Sequence, residues 1–177
     1  MTLQQVGIAV KRVKAALERR PEFGIHDDAP AVAHWEFGTR VVTRNSAGKE
    51  VITDTPKEIG GTGDQVAPGW LLRASVASCA ATSIALAAAS EGIELTALEV
   101  HVGSRSDTRG LLGMSDPGGA TVYAGPFDVA LQVTVAANGI DPVVLKTLVE
   151  VCLRHSPVPS ALTTAISFAL QVDVTTV

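Results

Sequence analysis

The sequence predicts an α+β fold with antiparallel strands. Three observations predict it. Along the chain the hydrophobic pattern reads helix, hairpin, long helix, two strands, helix, strand, which is not the alternation of a parallel α/β sheet. The strand segments alternate apolar and polar residues, so each has one buried face. The segment Pro68–Glu91 is apolar nearly all round, which marks a buried helix. One sheet does not readily cover such a helix, so a homodimer that buries it from the other side is expected.

The first element is an amphipathic helix over about 3–20. Leu3, Val6, Val10, Val13 and Leu17 recur at helical spacing. Lys11, Arg12, Lys14, Arg19 and Arg20 gather on the other side and at the C-terminal end, where they suit the helix dipole. That basic face reads as solvated. Residues 21–30 are a linker. Residues 33–44 read as a strand, 46–48 as a turn and 49–54 as a second strand, together a hairpin. Residues 55–67 are a Gly-rich loop without the Lys and Ser/Thr of a phosphate-loop motif.

The central helix follows. Pro68 suits its first turn, and Gly92 suits the position just past its end. Arg73 and Glu91 are its charged residues. Cys79 lies near its middle, among Ser75, Ser78, Thr82 and Ser83. Residues 98–103 alternate as a strand, 105–126 are a long Gly-rich excursion, and 127–136 alternate again. Asp141-Pro142 is an N-cap followed by proline, opening a helix to about His155 with Val144, Leu145, Leu148, Val151 and Cys152 inward. Ser156-Pro157 ends it. Residues 159–165 read as a further helical turn or two. Residues 166–174 read as the last strand, with Ile166, Phe168, Leu170, Val172 and Val174 on one face.

The 177 residues are read as one domain over 1–177, its core at about 33–177. A chain 46% hydrophobic and 18% charged is globular, and a net charge of -4 lacks the basic footprint of a nucleic-acid binder. The four histidines (His26, His34, His101 and His155) are scattered singly, so no metal site and no cofactor is expected. Residues 74–90 are too short and too rich in Ser and Thr for a membrane span, and the N-terminus lacks a signal-peptide pattern. A cytoplasmic setting, with both cysteines reduced, is the expectation.

Cys79 is either a core thiol or a nucleophile. The reactive species is the thiolate, and an unperturbed thiol has a pKa of roughly 8.5. Cys79 lies about three turns into its helix, beyond the reach of the helix dipole. A cation from another element is then required. Arg73 lies roughly 120° round the helix and points elsewhere. Arg40, Arg44, Arg154 and His155 are the candidates.

Five segments carry a resemblance to a known family. They are GTR at 38–40, TPKEIGG at 55–61, PGWLLRASVASC at 68–79, SDTRGLLG at 106–113 and RHSPVPSAL at 154–162. In order and spacing they resemble the OsmC/Ohr family of osmotically inducible and organic-hydroperoxide-resistance proteins, from about Trp35 onward. The resemblance implies an intertwined homodimer, two central helices wrapped by sheets from both subunits, with active sites at the interface. It implies a peroxidatic thiolate at Cys79 that reduces a small organic hydroperoxide, and an activating arginine at Arg40.

Two positions depart from the family pattern. Ser156 stands where the resolving cysteine is expected, and a serine cannot form the disulfide. Gly69 stands where the Ohr branch has a glutamate that pairs with the arginine. Glu36 and Glu58 are candidate substitutes. Cys152, one turn before Ser156, is a candidate displaced resolving thiol or a plain core cysteine on the stripe with Leu145 and Leu148. Asp107 and Arg109 read as a loop ion pair. The expectation is therefore a thiol-dependent hydroperoxide reductase regenerated by an external thiol or by Cys152. The alternative is a non-catalytic protein of the same fold that binds a small apolar ligand at the dimer cleft.

Overall fold

The computed structural model describes residues 2–175; Met1, Thr176 and Val177, included in the expected domain, lie outside that range. Helix α1 (Leu3–Arg19) opens with a reciprocal cap. Thr2 accepts from the Gln5 N–H, and the Gln5 side chain accepts from the Thr2 N–H. Helix α1 lies close on the central helix α2 (Pro68–Glu91) because Gly7 is its contact residue. A Cβ at Gly7 would sit 2.4 Å from the Ala89 carbonyl oxygen, so no larger residue fits that crossing.

Three strands follow α1, not a two-stranded hairpin. Residues 33–44 were expected as one strand; they form β1 (Val32–Phe37) and β2 (Arg40–Arg44), joined at Gly38-Thr39. Gly38 has φ 53°, and that left-handed residue folds the chain back where the apolar pattern runs on unbroken. Strand β3 (Glu50–Thr53) completes an antiparallel sheet in the order β1-β2-β3. Asp54 N–H then donates to the Val66 carbonyl at 3.1 Å, which closes the Gly-rich loop and delivers the chain into α2.

Helix α2 has the expected boundaries, Pro68 in its first turn and Gly92 at its C-cap. Its length and composition would suffice to cross a membrane. In this fold it packs against β4 (Leu95–Arg105), α1, α4 (Pro142–Leu153) and α5 (Pro157–Thr163). Burial follows one stripe at i, i+4 spacing: Val76, Ala80, Ile84 and Ala88. The other side, with Ser78, Thr82 and Leu86, is exposed. A helix read as buried all round is thus covered within its own chain on one side.

Strand β4 pairs antiparallel with β5 (Phe127–Ala137), with Val100 opposite Val133. Ala88, Ile93 and Leu145 form the core between α2, this sheet and α4, joined by Leu95, Val135 and Leu148. The connection between β4 and β5 contains one helical turn, α3 (Thr108–Leu111), capped by Asp107. Asp107 also pairs with Arg109 at 2.6 Å, as the sequence suggested.

The last expected strand is absent. Residues 165–175 have no regular secondary structure, and Ile166, Phe168, Leu170, Val172 and Val174 are all exposed, Phe168 by 89%. Alternation shows which side of a segment is apolar; a strand also needs an edge to bond to. Among the described residues no strand edge of this chain pairs with that segment.

Candidate functional site

Cys79 projects from the middle of α2 toward the start of α5. Its Sγ lies 3.3 Å from Ser156 Oγ and accepts from the Val158 N–H at 3.5 Å. Ser83 lies one turn further along α2, on the same side, and its hydroxyl donates to Ser156 Oγ at 3.0 Å. Ser156 is fully buried, whereas Cys79 is partly accessible. The local sequence explains the placement. Pro157 starts α5 and has no N–H to donate, so Val158 is the first residue of α5 with an N–H to offer. Ser156 is the N-cap of α5 but makes no side-chain bond to its own helix. Its hydroxyl turns to α2 instead.

The structure therefore brings together Cys79 and the residue in the expected resolving position. It also adds Ser83 and the Val158 N–H, neither of which sequence reasoning singled out as a partner. The cue for Ser83 was its spacing of four from Cys79. Nothing in the sequence pointed to a backbone donor from α5.

Arg40 belongs to a different cluster. It opens β2, and its Nη2 donates to Thr62 at 2.9 Å and to Asp64, with Asp54 at 3.7 Å. The guanidinium lies over the Phe37 ring, 5.4 Å from its centre. The hydrogen bond that Arg40 donates to Asp64 is the main cause holding the Arg40 pKa above its ordinary value. Asp54 is buried, with 2% of its surface exposed. It accepts from Thr39, from the Thr55 N–H, and from both the N–H and hydroxyl of Thr62. Hydrogen bonds from Thr39 and Thr62 hold its carboxyl well below the usual carboxylate range. Asp64 is lowered too, first by Thr62 and then by Arg40.

Among the described residues no hydrogen bond or ion pair links Arg40 to Cys79 within the chain. Arg44 is taken by Glu50 across the β2–β3 ladder, at 2.9 Å. Neither Glu36 nor Glu58 pairs directly with Arg40; its carboxylate partners are Asp64 and Asp54. Gly69 does not face Arg40 closely either. A Cβ there would meet Arg73 Nη1 at 3.9 Å, and Arg73 reaches Ser104 at 3.3 Å.

Cys152 donates to the Val149 carbonyl at 3.4 Å, and burial pushes its thiol pKa up. It lines a groove of about 940 Å³ between α1, α2 and α4, whose walls include Leu86, Val144, Leu148, Val151 and His155. Among the described residues no three His, Cys, Asp or Glu side chains cluster closely enough to hold a metal.

A family model described as OsmC-like protein matches residues 61–171. No curated protein matches the sequence. Solved structures share the fold at low identity. An OsmC-like protein from Mycoplasma pneumoniae is 16% identical, covers 78% of this chain and 89% of its own, and superposes with a TM-score of 0.64. An osmotic stress induced and detoxification response protein from Psychrobacter arcticus is 20% identical over 77% of this chain and 90% of its own, with a TM-score of 0.60. An organic hydroperoxide resistance protein from Elizabethkingia anophelis is 19% identical over 77% of this chain and 89% of its own, with a TM-score of 0.57.

Proposed function

The chain belongs to the OsmC-like protein family, and from that premise we propose that it reduces organic hydroperoxides through Cys79, with an external thiol as reductant. One observation carries the reading: the Cys79 sulfur accepts from the Val158 N–H at 3.5 Å and lies 3.3 Å from the Ser156 hydroxyl, while remaining partly accessible. Donors aimed at a sulfur favour its anion. A core thiol needs no such surroundings. The name of the Elizabethkingia neighbour supports the substrate class.

In the proposed reaction the Cys79 thiolate attacks the distal oxygen of the hydroperoxide. The O–O bond breaks, the alkoxide leaves and takes up a proton as the alcohol, and the sulfur becomes a sulfenic acid. Ser156 has no thiol to condense with it. Cys152 is a poor substitute, since its thiol is held protonated and turned to its own helix. An external thiol therefore attacks the sulfenic sulfur, water leaves, and a second thiol releases Cys79. We place the reaction in the cytoplasm, where such thiols are supplied.

The functional unit in this reading is a homodimer. The uncovered side of α2 and the exposed apolar segment 165–175 both favour it. An arginine that does not reach Cys79 within its own chain can do so across a subunit interface, and Arg40 keeps its role as activator on that basis. The groove beside Cys152 favours a second reading, in which the protein binds an apolar ligand without turnover.

The test is peroxide consumption with cumene hydroperoxide and dithiothreitol, beside dimedone trapping. The wild type should consume peroxide and carry a trapped sulfenic acid on Cys79, and Cys79→Ser should do neither. Equal slow consumption by the two proteins would sink the enzyme reading. A stoichiometric co-purifying ligand seen by native mass spectrometry would then support the second.

A further inference from the structure

The Ser156 hydroxyl is arranged for more than filling space. An N-cap serine ordinarily turns its oxygen onto an N–H of its own first turn. Here the Val158 N–H goes to Cys79 Sγ, and Ser156 Oγ lies between two residues of α2 that are one turn apart. A serine hydroxyl has one proton and two acceptor lone pairs. Ser156 Oγ accepts the Ser83 proton at 3.0 Å, which leaves its own proton to donate. The acceptor it meets, at 3.3 Å, is Cys79 Sγ. The side chain is fully buried, so water does not compete for that proton.

We propose that Ser83, Ser156 and Cys79 form a directed hydrogen-bond relay. Ser156 is a further catalytic residue that donates to the Cys79 thiolate, and Ser83 is a positioning residue that orients the Ser156 proton. The inference rests on the hydroperoxide-reductase reading and deepens it. Where a family site would hold a second thiol, this chain holds a donor that stabilises the first. The relay supplies part of the charge stabilisation that the sequence argument required from a cation.

The relay predicts an order of dependence. Ser156 acts on the sulfur directly; Ser83 acts through Ser156. The experiment is site-resolved iodoacetamide alkylation of Cys79 in the full-length protein as a function of pH, read by mass spectrometry. Ser156→Ala should move the midpoint of the profile to higher pH and slow alkylation near neutrality about tenfold, as for one hydrogen bond lost from an ionised group. Ser83→Ala should shift it the same way by a smaller amount, about threefold in rate, since it misorients the donor without removing it. Adding Ser83→Ala to Ser156→Ala should change nothing further.

A wild-type profile in Ser156→Ala overturns the proposal, and so does a further slowing when Ser83→Ala is added to it. Should Ser156→Ala not fold, Ser83→Ala decides alone, since alanine is well tolerated in a helix and an unshifted profile there removes the relay. Alkylation requires no hydroperoxide. Loss of peroxide turnover with an intact order of dependence would therefore reject the function and keep the relay, and the converse result would do the reverse.

Discussion

Ser156 Oγ lies 3.3 Å from Cys79 Sγ, although the two residues stand on either side of the α4 helix and 77 positions apart. An oxygen in van der Waals contact with the sulfur occupies the place from which a second sulfur would bond to it.

Ser156→Cys should give the protein an internal resolving thiol. After one equivalent of cumene hydroperoxide, the Cys79 sulfenic acid should condense with the introduced thiol, lose water and form a disulfide. Intact-mass analysis without reductant should show the bond, and dimedone should no longer label Cys79. Persistent dimedone labelling at the wild-type level would mean that the two side chains do not meet in solution.

Arg40→Ala should lower peroxide consumption on the order of 10²-fold, the scale for removing a group that stabilises developing charge. Arg40 bonds to Asp64 and Thr62 in its own chain, not to Cys79, so its action is expected across the subunit interface. Co-expression of Arg40→Ala with Cys79→Ser should then restore activity in mixed dimers, because one site in each pair is whole. Mixed dimers that stay at the level of the single variants would overturn action across the interface and leave any effect of Arg40 within its own chain.

Cys152→Ala should keep peroxide consumption near the wild-type rate, because Cys152 is turned to the Val149 carbonyl. Loss of activity, together with a Cys79–Cys152 disulfide in the peroxide-treated wild type, would instead make Cys152 the resolving thiol.

Asp54→Asn should flatten the acid limb of the stability profile. The folded-state pKa of Asp54 is depressed, so the unfolded chain binds a proton more readily than the folded one. The stabilisation is fully present above the ordinary carboxylate value of about 4 and is lost as pH falls from there toward the folded value. Thermal melts between pH 7 and pH 3 should show a lower Tm at neutral pH for the variant and a shallower fall in acid. Asp64 and Asp107, also depressed, keep part of the slope. Parallel melting profiles for the two proteins would show that Asp54 does not carry this dependence.

Much of the fold was legible in the sequence. Helix α2 was readable to the residue because Pro68 and Gly92 mark its ends locally. Strands β4 and β5 were readable because alternation is a local property, although β4 runs further than expected in both directions. The β1–β2 turn was missed because the apolar pattern continues across Gly38. The expected strand at 166–174 failed for a different reason: its pattern is real, but a ladder needs a second edge.

The sequence by itself determined the long helices α1, α2 and α4 and the alternating strands β4 and β5, and singled out Cys79 as the candidate reactive thiol. Tertiary structure alone decided what surrounds that thiol. Ser156 and the Val158 N–H meet Cys79, and Ser83 meets Ser156, because α5 docks its first turn on α2, and Arg40 meets Asp64 because the Gly-rich loop closes on β2. Periodicity reports the face a residue lies on. A hydrogen bond requires two groups from distant positions within about 3 Å, and that distance is set only when the elements pack.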